Sequence, residues 1–223
     1  AGESLMLDLN RMEKFHLDND SRFQEIEKTI PLSRVNAGAL VQLVTSGECN
    51  FSLSEALYNR DYPGHYFRVI KSIALSLKFV ENSPLADDPY FTVNASLTQV
   101  GNKALLDPDI NAVRYLMGIE GATQPSGTAL RVNWRSNQQI AVSNPRRDNG
   151  MFGSFDLNFV FDDRSNWHLE IPLENNPDLV RRIQNADVLA LEDVVIHIKY
   201  TSKFDRSEFR TQVQEEMRTL DQT

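Results

Sequence analysis

The sequence has 223 residues, of which 41% are hydrophobic and 24% are charged. This composition is typical of a globular protein that can build a core without disulfides. The net charge of −8, from 31 acidic and 23 basic residues, argues against nucleic acid or an anionic membrane surface as the main partner, because both require a basic face. The single cysteine, Cys49, excludes an intrachain disulfide, and we expect it to be buried as a small apolar residue.

The chain begins AGES without an initiator methionine, so we expect it to be part of a longer protein. No apolar run reaches the roughly 20 residues of a membrane span, and no signal peptide is recognisable. We therefore expect no direct membrane insertion by this segment.

A long helix is predicted over residues 5–30. Apolar residues recur there at steps of three and four, which is typical of a coiled-coil-like helix. This helix seam comprises Leu5, Leu9, Met12, Phe23, Ile26 and Ile30. So narrow a seam on a polar helix requires a neighbouring helix. Pro31 is expected to end the element, because the residue before a proline disfavours the helical conformation.

Two short helices are predicted next. Asn36 can cap the first helix, and Gly47 can end it. The second is expected over about residues 53–59, where Ser52 and Glu55 have the spacing of a capping box.

From Tyr66 the apolar period changes to two, which predicts a half-buried strand up to Phe79. Arg68 falls on its polar face, and Ile70 and Lys71 do not fit the alternation. Further strands are predicted at about 90–100, 129–134, 138–143, 153–161, 167–173 and 193–201, a short helix at about 177–185, and a C-terminal helix at about 206–220.

The predicted fold class is α+β. It is mainly an antiparallel β-sandwich, preceded by the coiled-coil-like helix and followed by the C-terminal helix. The expected divisions are a lead-in stalk helix (1–31), a β-sandwich domain (32–203) and the C-terminal helix (204–223).

A rigid turn is predicted immediately before the first long strand. Pro63 presets φ for the second position of a type II turn, and Gly64 supplies the positive φ of the third. The carboxylate of Asp61 can accept hydrogen bonds from the turn backbone. We interpret Asp61, Tyr62, Pro63, Gly64, His65 and Tyr66 as a structural corner. Asp61 and His65 alone make a poor metal site, since a third ligand is missing.

The search for catalytic chemistry finds no motif. Residues 107–118 begin like a calcium loop, but Ala112 and Gly118 replace the required glycine and glutamate. The four histidines are scattered, and no nucleophile elbow, P-loop or zinc-protease motif is present. We therefore predict an interaction module that is not an enzyme and has no cofactor and no metal.

The segment ECNFSLSEALYNRDYPGHYFRVIKSIALSL (48–77) resembles the start of the C-terminal TcB-binding domain of the A component of insecticidal Tc toxin complexes. The resemblance continues in order with TVNASLT (92–98), DNGMFGSFDLNF (148–159), WHLEIP (167–172) and DVVIHIKYTSK (193–203). It covers about residues 5–203. DYPGHY followed by IKS is its most specific part.

The resemblance implies a secreted bacterial toxin component. In that family the A component is a pentameric shell around a channel, and its C-terminal β-sandwich domain meets a β-propeller of the B component so that toxin cargo can enter the channel. The domain is not catalytic. Residues 5–30 would then correspond to the last helix of the channel stalk.

Two segments depart from the family pattern. Only DDRSN separates Phe161 from Trp167, where members carry a longer loop, and ENSPLADDPYF (81–91) replaces a short one. Loops on a scaffold commonly hold recognition residues.

Two other hypotheses about the function stay open. One is a glycan-binding β-sandwich that uses exposed aromatics such as Tyr90, Tyr115 and Trp134. The other is an oligomerisation module driven by the terminal helices.

Overall fold

Two four-stranded antiparallel sheets are the main elements of the fold. The structure is a computed structural model, and it describes residues 23–79, 93–99, 103–132, 138–142, 154–160, 166–177 and 191–222. The first sheet has the order β1 (Gln24–Pro31), β10 (Leu191–Phe204), β3 (His65–Phe79), β8 (Ser154–Val160). The second has the order β2 (Glu48–Ser52), β9 (Asn166–Glu170), β4 (Ala95–Gln99), β7 (Gln138–Val142). A two-stranded sheet pairs β5 (Lys103–Leu105) with β6 (Leu130–Val132).

Five α-helices connect or flank these sheets in the described residues. They are α1 (Leu32–Val35), α2 (Ala37–Ser46), α3 (Glu55–Asn59), α4 (Ile110–Leu116) and α5 (Glu208–Gln222). A 3-10 turn covers Leu173–Asn175. None of the helices in the described ranges is long and apolar enough to cross a membrane. The α+β class with antiparallel sheets is thus confirmed.

One hydrophobic cluster takes side chains from both large sheets. The first sheet contributes buried residues such as Ile73 and Ile196, and the second contributes Leu97, Trp167 and Leu169. Cys49 is also fully buried in this cluster, as predicted, and burial raises the pKa of its thiol to about 11. Both large sheets therefore contribute side chains to one core.

A second, smaller cluster lies between α4, α5 and the two-stranded sheet. Its members are Leu105, Ala112, Val113, Leu116, Leu130, Phe209, Val213 and Met217. The three residues from α5 are spaced four apart, so they form one stripe on the helix. The predicted C-terminal helix is therefore confirmed, and its apolar face packs within the chain.

The predicted lead-in helix is wrong for residues 24–31, which form strand β1 and pair with β10. Ile26 and Ile30 of the predicted helix seam are buried in the main cluster, whereas Phe23 is 48% exposed. A spacing of four residues puts two side chains on one face of a helix and equally on one face of a strand, so the pattern was ambiguous. Leu5, Leu9 and Met12 lie outside the described residues. Pro31 ends the strand instead of a helix.

The first short helix is confirmed together with both of its ends. The side-chain oxygen of Asn36 accepts a hydrogen bond from Ala39 N, and Gly47 follows the helix with φ 80°. The predicted capping box of the second helix is wrong by two residues. Ser52 belongs to β2, and the cap is Ser54, whose hydroxyl accepts a hydrogen bond from Leu57 N.

Strand β3 is irregular at the positions that broke its predicted alternation. The pairing with β10 slips between Ile70 and Ser72 and again between Tyr66 and Val69. Each slip is a β-bulge, which lets neighbouring residues face the same side. The first slip explains how Ile70 and Ile73 both reach the core. The polar assignment of Arg68 is wrong, because this residue is only 3% exposed.

The remaining predicted strands are present with shorter or shifted bounds. The strand expected at 90–100 covers Ala95–Gln99, and the one expected at 193–201 extends over Leu191–Phe204. The strand β2 was not predicted. The helix expected at 177–185 and the two segments that depart from the family pattern lie outside the described residues, apart from Pro177 and from Asn166, which begins β9.

Candidate functional site

The segment of the predicted structural corner joins α3 to β3 and lies against the N-terminal end of α5. After α3 the backbone N–H groups of Asp61 and Tyr62 both donate to Tyr58 O, at 3.3 and 2.9 Å. Gly64 then adopts φ 86°, in the left-handed region that favours glycine. The carbonyl of Gly64 accepts a hydrogen bond from Asp205 N at 3.0 Å. The turn is thereby bonded to the residues that connect β10 to α5.

Gly64 also allows a very close approach of α5. A Cβ atom at this position would lie 2.8 Å from Cβ of Arg210 and 3.1 Å from the carbonyl oxygen of Asp205. Both distances are shorter than ordinary van der Waals contacts, so a larger residue would displace the helix. Glycine is thus required here for its conformation and for its lack of a side chain.

The side chains of the corner contact three other elements. Asp61 forms an ion pair with Lys28 of β1. Tyr66 packs edge-on against Phe209 of α5, with ring centroids 6.4 Å apart. Tyr62 is 38% exposed and lies edge-on to the ring of His65. These contacts link the first sheet, the turn and the C-terminal helix.

His65 is the buried member of the corner. Its Nδ1 lies 2.8 Å from the hydroxyl oxygen of Ser202, and its ring packs against Phe204 at 4.8 Å between centroids. Burial, and then the guanidinium groups of Arg68 and Arg210, lower the pKa of His65 to about 4. The ring is therefore neutral at pH 7.

A buried polar network lies beside the corner and was missed by the sequence analysis. The guanidinium of Arg68 donates to the carboxylate of Glu55 and, at 2.7 Å, to the side-chain oxygen of Asn59. It also lies over the ring of Tyr58, 5.5 Å from its centroid. All four residues are at most 3% exposed. The sequence contained one sign of this network, because Ile70 and Lys71 did not fit the alternation of β3. A β-bulge at these residues reverses the face of the sheet on which Arg68 lies.

The residues considered for metal binding are engaged elsewhere. Asp61 pairs with Lys28, and His65 contacts Ser202. Asp109 of the incomplete calcium loop caps α4 by accepting hydrogen bonds from the backbone N–H groups of Asn111 and Ala112. In the part of the chain that the structure describes, no three metal-ligating side chains come together.

An open cleft of about 560 Å³ lies beside α4. Its lining is Asp109, Asn111, Arg114 and residues 119–126. Two of the charged side chains in this lining have other contacts: Asp109 caps α4, and Nε of Arg114 lies 3.0 Å from the carboxylate of Glu216 in α5.

The aromatics named for the glycan hypothesis are not brought together among the described residues. Tyr115 is partly buried against the second cluster, while Tyr90 and Trp134 lie outside the described ranges. Single exposed apolar side chains occur at Val41 and Leu173, which is ordinary for a protein surface.

The geometry defines a mixed α+β module whose antiparallel sheets are tied to a terminal helix by a tight turn. The chain belongs to the family described as the Tc toxin complex TcA C-terminal TcB-binding domain, whose model matches residues 1–202. The resemblance recognised from DYPGHY and the motifs that follow it is thereby confirmed.

The chain is similar to two longer proteins, of which it spans only a small part. Toxin subunit YenA2 of Yersinia entomophaga is 33% identical over 223 residues, which covers 94% of this chain. The chain spans 15% of the length of that relative. The cryo-EM structure of Yersinia pseudotuberculosis TcaA-TcaB matches with a TM-score of 0.36 and 20% identity, over 91% of this chain and 11% of that one.

Proposed function

We propose that this chain is the non-catalytic docking domain of a Tc-toxin A component, and that it binds the β-propeller of a B component. The observation that supports the proposal is the family match over residues 1–202, since the family is described by its binding of TcB. In this proposal the two large sheets form a β-sandwich that presents the docking surface. The domain acts as one of five copies in a secreted toxin, and docking lets the cargo enter the channel.

The non-enzymatic part of the proposal is supported by the use of the polar side chains. The buried Glu55 and Arg68 neutralise each other, and the histidine of the corner contacts a serine hydroxyl. Groups that are paired in this way stabilise a fold, whereas a catalytic site needs an accessible acid, base or nucleophile with a shifted pKa.

The packing of α5 bears on the oligomerisation alternative. Phe209, Val213 and Met217 are buried against α4 and the two-stranded sheet. A helix face that is covered within one chain is not available to a second copy at the same time. We therefore place the contacts between copies elsewhere than on this face.

The test is binding of the purified chain to the propeller of its B-type partner by biolayer interferometry, first as a monomer and then on a pentameric scaffold. Weak monomeric binding that strengthens on the scaffold is expected, because linked copies raise the effective concentration, by roughly 10²–10⁴ in avidity. The control is the same scaffold carrying an unrelated domain of similar size. Equal signals from the two scaffolds would contradict the proposal.

A further inference from the structure

His65 is 7% exposed and follows Gly64, which lies against Arg210 in the first turn of α5. Its ring contacts three groups from different elements: the ring edge of Tyr62, the hydroxyl of Ser202 and the ring of Phe204. The ring of Phe204, which packs against His65, also lies under the guanidinium of Arg210, 5.8 Å from the Phe204 centroid. An uncharged imidazole fits this site, because aromatic rings and one hydroxyl surround it.

A protonated imidazole would be unfavourable at this buried position. Arg68 of β3 and Arg210 of α5 both oppose its charge, and burial opposes it more strongly, which lowers its pKa to about 4. The carboxylates on the surrounding elements have other partners. Glu55 pairs with Arg68, Asp61 pairs with Lys28, and Asp205 accepts a hydrogen bond from Ser207 N.

The remaining charged side chain at the end of β10, Lys203, extends away over the rings of Phe23 and Phe67, at 5.5 and 5.2 Å from their centroids. The three groups that contact the ring of His65, from Tyr62, Ser202 and Phe204, include no carboxylate that could stabilise the imidazolium. The repulsion has to be relieved by movement.

The two cations differ in how firmly they are held. Arg68 is fixed by Glu55 and Asn59 within the core. Arg210 is on a helix that three apolar residues attach to the second cluster. The helix also forms two ion pairs, Asp221 with the exposed Arg60 and Glu216 with Arg114 of α4, and both lie in its second half. The first turns of the helix, which carry Arg210, are the part that can yield.

We propose that protonation of His65 is an acid switch that lifts the first turns of α5 from the corner. The lift separates Arg210 from the imidazolium, breaks the bond between Asp205 N and the carbonyl of Gly64, and exposes Phe209. Apolar surface of the second cluster thus becomes available at acidic pH. The device lies at the end of the family match and controls a helix beyond residue 202. It concerns the isolated chain and does not depend on the docking proposal.

The test is amide hydrogen–deuterium exchange of the whole chain at pH 7, 5 and 4, corrected for the intrinsic pH dependence of exchange. Between pH 6.5 and about 4, the equilibrium constant for lifting the helix can rise by up to tenfold per pH unit, because the lifted form binds one more proton. We expect the protection of residues 208–213 to fall at least about tenfold. The variant His65→Asn keeps a polar atom near the position of Nδ1 but cannot be protonated. In this variant the protection of residues 208–213 should not change between pH 7 and pH 4.

The matched control is His197→Asn. His197 is the other partly buried histidine of the first sheet, where its ring nitrogens lie 3.3 Å from the hydroxyl oxygen of Thr29 and 2.8 Å from that of Ser76. Burial lowers its pKa as well, but it does not contact α5. This variant should lose protection of α5 in acid as the wild type does. Acid-insensitive exchange in the wild type, or unchanged acid sensitivity in His65→Asn, would overturn the proposal.

A second variant keeps the test decisive if His65→Asn does not fold. Arg210→Gln removes the cation that drives the helix away while leaving His65 in place. We expect the acid-induced loss of protection to be at least about threefold smaller than in the wild type. An equal loss in both proteins would overturn the proposal.

Discussion

Gly64 and Arg210 are separated by so little space that a Cβ atom on the glycine would lie 2.8 Å from Cβ of the arginine. The glycine ends the turn that leads into β3, and the arginine belongs to the terminal helix, more than 140 positions further along the chain. Their contact fixes where α5 lies on the first sheet. Because Gly64 also has φ 86°, its conformation and its size are both constrained.

Gly64→Ala should therefore destabilise the chain more than a glycine replacement that only introduces strain. The matched control is Gly118→Ala, where φ is 72° and nothing lies within 4 Å of the new Cβ atom. The left-handed conformation costs about 1–2 kcal/mol at either position. Overpacking adds about 1–3 kcal/mol at Gly64 alone. Urea unfolding measures both values, and equal losses would show that α5 does not press on the corner.

The buried pair of Arg68 and Glu55 should behave as a unit. Arg68→Met leaves the carboxylate buried without its cation, and we expect a loss of about 3–5 kcal/mol in the free energy of unfolding. The double variant Arg68→Met/Glu55→Met should lose less than the sum of the two single variants, because neither charge is left alone. The control is Arg60→Met in the exposed pair with Asp221, which should cost at most about 1 kcal/mol. Additive losses in the double variant would argue against coupling.

The apolar stripe of α5 predicts a graded response to truncation. Phe209 is 4% exposed, and Phe209→Ala should cost about 3–5 kcal/mol because it leaves a cavity beside Val113 and Leu116. Leu220 is on the same helix but 36% exposed, so Leu220→Ala should change stability by about 0.5 kcal/mol. Thermal unfolding and exchange of the α5 amides provide the two readouts. Similar effects of the two substitutions would mean that the helix is not docked through this stripe.

Cys49 should be unreactive in the folded chain. It is fully buried, and burial raises the pKa of its thiol from 9.0 to about 11, so both access and thiolate formation are suppressed at pH 8. Labelling by iodoacetamide should be slow in buffer and become fast across the urea unfolding transition. The stability contributed by the neutral thiol is present below pH 9 and decreases as the pH rises toward about 11. Rapid labelling without urea would contradict the observed burial.

Much of the local structure was predictable because the signals depend on neighbouring residues. Asn36 and Gly47 bound a ten-residue helix, and the cap and the positive φ act within one turn of it. The alternation at Val194, Ile196 and Ile198 specifies a strand with one buried face. Ordered motifs along residues 48–203 were sufficient to recognise the family. Among the residues of the corner, Gly64 was recognisable because few other residues tolerate its backbone conformation.

The remaining features depend on contacts between distant segments. Ile26 and Ile30 share a face in a helix and in a strand alike, and only the pairing of β1 with β10 selected the strand. The step of three from Phe23 to Ile26 would have kept both on one helical face, yet their exposures are 48% and 8%. Arg68 is buried because bulges in β3 change the register against β10, and that register is a property of two strands. The sequence by itself determined the family, the antiparallel α+β class and the two ends of α2. Tertiary structure decided which residues join the core, because burial is set by packing partners that lie far away along the chain.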